Sequence, residues 1–166
     1  RWDAMGRLIE SDATSGGTVV HVKNRYDAFG NRISQSLDGV ETRFLVDTNR
    51  QYSVVLEEYK PNGDLIASYI HGLGVISQSR GNVISVYHPD AIGTVRALTN
   101  LSGVITDRYT FDAFGRELSR NGTTVNSYLY ANEYRDSATG LDYLRARFYD
   151  ASNGRFESED PFPGIV

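Results

Sequence analysis

Tyr26-Asp27-Ala28-Phe29-Gly30-Asn31-Arg32-Ile33 decides the reading of this chain, because its pattern returns elsewhere. The other copies are Trp2-Asp3-Ala4-Met5-Gly6-Arg7-Leu8, Phe111-Asp112-Ala113-Phe114-Gly115-Arg116 and Tyr149-Asp150-Ala151-Ser152-Asn153-Gly154-Arg155-Phe156. Each runs from an aromatic through Asp and a short spacer to Gly, then Arg or Asn, and on into strand-like residues. The last copy carries one extra spacer residue. Asp can bond the backbone two residues on, and Gly accepts the left-handed conformation that closes such a turn. The aromatic ends one strand, where it can lie against the equivalent ring of the next hairpin. Asp3, Gly6, Asp27, Gly30, Asp112, Gly115, Asp150 and Gly154 are therefore expected as turn residues, with acids that bend backbone rather than break bonds.

Outward from these units, turn signals punctuate the whole sequence: Ser15-Gly16-Gly17, Asp38-Gly39, Asn62-Gly63-Asp64, Arg80-Gly81-Asn82, Ser102-Gly103, Asn121-Gly122 and Thr139-Gly140. Between them lie short stretches rich in Val, Ile, Thr, Tyr and Phe, the mark of β-hairpins. Several stretches alternate with period two. Val83, Ser85 and Tyr87 oppose Ile84, Val86 and His88, and Tyr128 and Tyr130 oppose Val125 and Leu129, which suits a sheet covered on one face. Residues 141–149 place Leu141, Leu144 and Phe148 at helical spacing. Their aromatic content and short span favour a strand. Residues 11–17 read as a loop. The fold class is all-β, a series of consecutive antiparallel hairpins in a long curving sheet. Each hairpin needs its neighbours, and both terminal edges need cover or a partner.

Composition excludes several classes of function. Seventeen basic residues against 21 acidic give a net charge of −4, with no basic run to meet nucleic acid. There is no Cys, so disulfides and thiolate metal sites are excluded. No apolar run approaches the ~20 residues that span a bilayer as a helix. His21, His71 and His88 fall on separate expected strands without metal-ligand spacing, so neither a metal nor a cofactor is expected. Gly72-Leu73-Gly74 lacks the further Gly and the helix of a phosphate cradle. The chain starts inside a repeat unit at Arg1 and stops soon after Asp160-Pro161, so it reads as an excerpt of something longer.

Two stretches carry a family resemblance. The first is Tyr87-His88-Pro89-Asp90-Ala91-Ile92-Gly93-Thr94-Val95-Arg96-Ala97-Leu98-Thr99-Asn100, followed by Gly103-Val104-Ile105 and the unit from Tyr109 to Gly115. The second runs from Tyr134-Arg135-Asp136 through Thr139-Gly140-Leu141-Asp142-Tyr143-Leu144-Arg145-Ala146-Arg147-Phe148-Tyr149-Asp150 to Gly154-Arg155-Phe156 and Asp160-Pro161. Both resemble the Rhs proteins with their tyrosine–aspartate (YD) repeats, and the second is similar to the core signature near the end of the Rhs shell. The match is dense over 87–161, within a region 87–166 of core-associated hairpins ending at the Asp-Pro motif, and looser over 1–86, where Tyr59-Lys60-Pro61-Asn62-Gly63 is a degenerate unit with Lys60 in place of Asp. These two regions are expected to form one continuous repeat structure.

The resemblance implies a β-sheet ribbon spiralling into a hollow cage that encloses and helps deliver a variable C-terminal toxin domain. The implied partners are that toxin domain, the remaining shell, and secretion-system or chaperone proteins, and the implied location is secreted or cell surface. Many such shells cut their own chain with paired aspartates sharing a proton. The resemblance places one of these at Asp160. Glu159 stands where an Arg often precedes that Asp and is expected to repel it, and no second Asp-bearing motif follows before Val166. One carboxylate makes no dyad, so the segment alone is expected to be inactive, with Asp160 as the catalytic candidate of a longer protein. An adhesion or carbohydrate-binding module is a further alternative, since YD repeats also occur on cell surfaces.

Overall fold

A computed structural model describes residues 1–15 and 17–160. The expected turn at Ser15-Gly16-Gly17 and the Pro of Asp160-Pro161 therefore lie partly outside the described residues. Strands β1 (Glu10–Ser15), β2 (Thr18–Tyr26), β3 (Arg32–Leu37), β4 (Val40–Asp47), β5 (Val54–Tyr59) and β6 (Leu65–His71) follow one another in a single antiparallel sheet. It continues through β7 (Val75–Arg80), β8 (Val83–Pro89), β9 (Val95–Thr99), β10 (Ile105–Phe111) and β11 (Glu117–Asn121). The 11 strands are paired in strict sequence order, and the sheet does not close on itself.

Local chemistry makes this order the simple solution. Asp38-Gly39 (φ 48° and 86°) and Gly81-Asn82 (φ 56° and 64°) are two-residue turns with both residues left-handed. Their twist matches that of the strands they join. Register shifts recur beside the longer turns, at Arg25/Tyr26, Glu58/Tyr59, Ile70/His71, His88/Pro89 and Thr110/Phe111. An extra residue at these points bends a strand and increases its twist.

After Asn121 the chain leaves the sheet and lies back across one of its faces. Thr124 N donates to Asp107 Oδ1 at 2.9 Å, Gln78 Nε2 to the Val125 carbonyl at 2.9 Å, and Tyr87 Oη to Asn126 Oδ1 at 2.7 Å. Further on, Val95 N donates to the Leu129 carbonyl at 2.9 Å and Val75 N to Asn132 Oδ1 at 2.8 Å. The crossing segment thus spans β5–β10 and seals a core of Phe44, Val55, Ala67, Tyr69, Val75, Tyr87, Val95, Leu98, Tyr109, Phe111, Tyr128 and Leu129. It leads into a 4-stranded antiparallel sheet of β12 (Tyr134–Arg135), β13 (Asp142–Leu144), β14 (Arg147–Asp150) and β15 (Arg155–Phe156). Leu8, Tyr143 and Phe148 form a second core with Tyr26 beneath this arm.

Four local expectations are corrected. Residues 10–15 form edge strand β1 rather than a loop, paired to β2 from Glu10↔Lys23 to Ser15↔Thr18. The backbone hydrogen bonds of β2 impose that strand on a sequence with little strand propensity. Asn121-Gly122 is the exit from the sheet, not a hairpin. Residues 123–131 are not a ladder strand, because their polar groups bond the sheet face end to side, and Ala131 (φ 50°) and Asn132 (φ 61°) make a tight turn. Residues 141–149 are a hairpin, in which Arg145 at φ 59° turns the chain between β13 and β14. The 86/87 boundary between the looser and the denser match falls within β8, and the long sheet ends at Asn121.

Candidate functional site

The repeat turns share one set of bonds. Asp27 Oδ1 accepts from Phe29 N at 2.9 Å and Asn31 N at 2.8 Å, while Gly30 N donates to the Asp27 carbonyl at 3.2 Å. Asp112 accepts from Phe114 N at 2.9 Å and Arg116 N at 3.0 Å, and Asp3 from Met5 N and Arg7 N at 2.9 Å each. Gly30 (φ 88°) and Gly115 (φ 90°) take the left-handed conformation that closes these turns. Asp150 makes the wider version, accepting from Ser152 N at 2.7 Å, with Asn153 Oδ1 taking Arg155 N at 2.9 Å.

Two turns that the aromatic-Asp pattern missed are built the same way. Asp90 accepts from Ile92 N at 3.1 Å and Thr94 N at 3.0 Å, and Asn100 from Ser102 N and Val104 N at 3.0 Å each. Their preceding residues are Pro89 and Thr99, so the signal that finds them is Asp or Asn followed three residues later by Gly. Burial pushes the carboxyls of Asp3, Asp27, Asp90 and Asp112 up. Hydrogen bonds outweigh it and hold all four below the ordinary value, led by the Arg96 guanidinium at Asp90, the Asn31 side-chain amide at Asp27 and backbone amides at Asp3 and Asp112, with Arg7 and Arg116 adding charge at the last two. A carboxylate whose lone pairs are taken by fixed backbone amides serves as a structural acceptor.

The turns after β2, β4, β6, β8 and β10 lie along one rim of the sheet, which side chains tie together. Arg50 donates to the Gly72 carbonyl at 2.9 Å and the His71 carbonyl at 3.2 Å. From the arm, Arg145 donates to the Ser53 carbonyl at 3.0 Å, Arg135 to the Gly115 carbonyl at 3.0 Å, and Tyr130 to the Ala113 carbonyl at 2.8 Å.

Beneath the arm lie polar clusters that composition could not locate. Arg32 on β3 is 2% exposed and ion-paired with Asp136 at 3.2 Å. Its guanidinium faces the rings of Tyr143, Phe44, Tyr134 and Phe148 at 4.5, 5.1, 5.2 and 5.7 Å. Gln35 also donates to Asp136, whose Oδ1 takes Ala138 N at 3.0 Å and Thr139 N at 3.2 Å. Nearby, buried Glu58 accepts from Tyr69 Oη at 2.5 Å, Arg80 at 2.9 Å and Tyr134 Oη at 3.0 Å. These groups bind the arm to the sheet.

Asp160 has its side chain 52% exposed and is ion-paired with Arg147 at 2.9 Å. The Arg147 guanidinium stands 3.7 Å over the Phe156 ring. Besides the neighbouring Glu159, a cation from β14 meets Asp160 directly. His21 bonds Asp12 at 2.7 Å and Glu10 at 2.9 Å, His71 the Val55 carbonyl at 3.0 Å, and His88 the Thr99 hydroxyl at 3.0 Å. Among the described residues no group of three or more His, Cys, Asp or Glu side chains could hold a metal ion, and no helix is long and apolar enough to cross a membrane.

No family model matches the chain. It is 32% identical over 168 residues to the tRNA3(Ser)-specific nuclease WapA of Bacillus spizizenii, with 98% of the chain and 7% of that protein covered. It is 26% identical to the double-stranded DNA deaminase toxin A of Burkholderia cenocepacia, covering 96% of the chain and 13% of the toxin. The probable deoxyribonuclease RhsB of Dickeya dadantii is 27% identical, with 97% and 12% covered. Among solved structures, the crystal structure of TcdB2-TccC3 superposes with a TM-score of 0.70 at 16% identity, covering 97% of this chain and 9% of that one. That likeness concerns the fold. The chain spans between 7% and 13% of the length of these curated relatives.

Proposed function

Since this chain is a repeat segment of the Rhs, or YD-repeat, family, we propose that it forms one stretch of a shell wall that encloses and helps deliver a C-terminal toxin domain of the same longer protein. The observation that carries this reading is the open sheet of 11 strands paired in sequence order. Such a ribbon lengthens hairpin by hairpin without a new core at each step. Its turn acids are committed to backbone amides, which suits a scaffold. The partners are the toxin domain and the rest of the wall, and the site of action is outside the producing cell or at its surface. The test is limited proteolysis of the full-length protein. A toxin domain resistant in the whole protein and digested at once in isolation supports the wall. Equal digestion in both refutes it.

A second reading, self-cleavage of the longer chain through Asp160, draws on the Arg147–Asp160 pair, which holds the half-exposed carboxylate beside β14. Asp160→Asn in the full-length protein should then leave an uncut chain on a denaturing gel. Unchanged cutting removes Asp160 from the chemistry.

A further inference from the structure

Two copies of the repeat turn already meet in this structure. At the β10–β11 turn, the Phe114 carbonyl accepts from Tyr149 Oη at 2.9 Å. The Phe114 ring faces Gly154, where an added Cβ would stand 3.3 Å from the ring. Tyr149 and Gly154 open and close a turn that is itself a copy of the repeat. One turn therefore lays its ring on the glycine of another, whose tyrosine hydroxyl donates to the first turn's carbonyl. A second turn-to-turn contact lies at the other end of the rim. Arg7, which closes the Asp3 turn, donates to the Asp27 carbonyl at 3.4 Å and stands 4.9 Å over the Tyr26 ring.

Phe29 holds in the Asp27 turn the position that Phe114 holds in the Asp112 turn, two residues after the Asp. It is 92% exposed, against 62% for Phe114. Open clefts of about 450 and 510 Å³ flank it, one bordered by Met5, Arg7 and Ala146, the other by Thr48 and Tyr52. The cations at these clefts are engaged: Arg7 with Asp3 at 2.7 Å, Arg50 with Asp47 at 3.0 Å, and Arg145 with Glu133. The clefts offer a ring and backbone rather than net charge, which suits a turn whose own Asp is already bonded to its backbone amides, as Asp150 is, better than a free anion.

We propose that Phe29 is a docking site for a further YD turn, supplied by another stretch of the same longer chain. The incoming turn seats its glycine against the Phe29 ring and directs its tyrosine hydroxyl at the Phe29 carbonyl, repeating the contact seen at Phe114. This rests on the reading of the chain as one stretch of a wall. The matched segment is 7–13% of its relatives, so such proteins hold many residues that could supply the turn.

The test places the photo-cross-linker p-benzoylphenylalanine at position 29 of the full-length protein. Illumination and mass spectrometry should give an intrachain link to a Tyr-Asp…Gly turn outside residues 1–166. A link to a second molecule, a link to a segment that is not such a turn, or no link overturns the proposal. Phe29→Ser should speed amide exchange at the docked turn by at least about tenfold while leaving the urea midpoint of the 166-residue chain unchanged. Equal loss in both makes Phe29 part of the local fold and overturns it too. A protected toxin domain without the link sinks the docking alone, and a link without protection sinks the wall reading alone.

Discussion

Arg32→Met is the sharpest perturbation of the join between arm and sheet. The substitution keeps most of the apolar stem and removes a guanidinium that is 2% exposed, 3.2 Å from Asp136 and within 5.7 Å of four aromatic rings. Removing one partner of a buried pair costs roughly 3–5 kcal/mol, because the other charge stays buried. Lost cation–π contacts at desolvated rings add up to about 2 kcal/mol, and the better packing of Met offsets part of the sum. We expect a net loss of about 4 kcal/mol, against a total of roughly 8–25 kcal/mol for a chain of this length. Asp136→Asn keeps the acceptor for Ala138 and Thr139 and should cost about 3 kcal/mol. The double variant should also cost about 4 kcal/mol, a coupling of roughly 3 kcal/mol. Urea unfolding followed by far-UV circular dichroism and Trp2 fluorescence measures all of these. A loss below about 1 kcal/mol for Arg32→Met, or additive single variants, would refute the claim that the pair holds the arm down.

Gly122→Ala should destabilise by roughly 2–4 kcal/mol by the same assay, since its φ of 117° disfavours a side chain and an added Cβ would lie 2.6 Å from the Thr106 carbonyl. Asp27→Ala should cost about 1–2 kcal/mol, as for a lost helix cap. Asp27→Asn should cost less than half as much, because Asn100 makes the same turn. The depressed turn aspartates contribute stability that is fully present above the unfolded carboxylate value of about 4 and is lost as pH falls through their lower folded values. Urea midpoints measured from pH 6 down to pH 2 should therefore drop most steeply below pH 4, and a flat profile would contradict this. Asp12 and then Glu10 raise the His21 imidazole. Its hold on β1 is whole below the ordinary value of about 6.5 and fades as pH rises through the higher folded value. Backbone amide shifts of residues 10–13 should follow that titration and lose it in His21→Gln.

The sheet was legible because its rules are local. Asp38-Gly39 names its turn type, and period-two stretches such as Val83–Tyr87 need only neighbours to become strands. The arm was not legible, because nothing in Thr123-Thr124-Val125-Asn126 says that its carbonyls and amides will bond the side chains of β7, β8 and β10. Gly122 looked like half of an Asn-Gly hairpin, whereas its missing side chain serves a close approach to Asp107 and Thr106. Residues 10–15 have Thr14 as their one β-branched residue, and pairing to β2 overrides that weakness. The cation beside Asp160 was hidden by sequence distance, since Arg147 lies thirteen positions upstream and is brought round by the β14–β15 hairpin. Asp90 and Asn100 were missed because the pattern demanded an aromatic that the turn itself does not use.

The arm's position has a kinetic consequence. Hairpins of the sheet join residues close in sequence, so each can form as soon as both its strands have left the ribosome. Arg32 meets Asp136 across 104 residues, and the Tyr128 hydroxyl reaches back 73 to the Val55 carbonyl. Those contacts must wait until nearly every strand is in place, which makes arm closure the late and slow step of assembly. Until then the rings of Phe44, Tyr69 and Tyr87 stand open to water, and newly made chains are at their most adhesive.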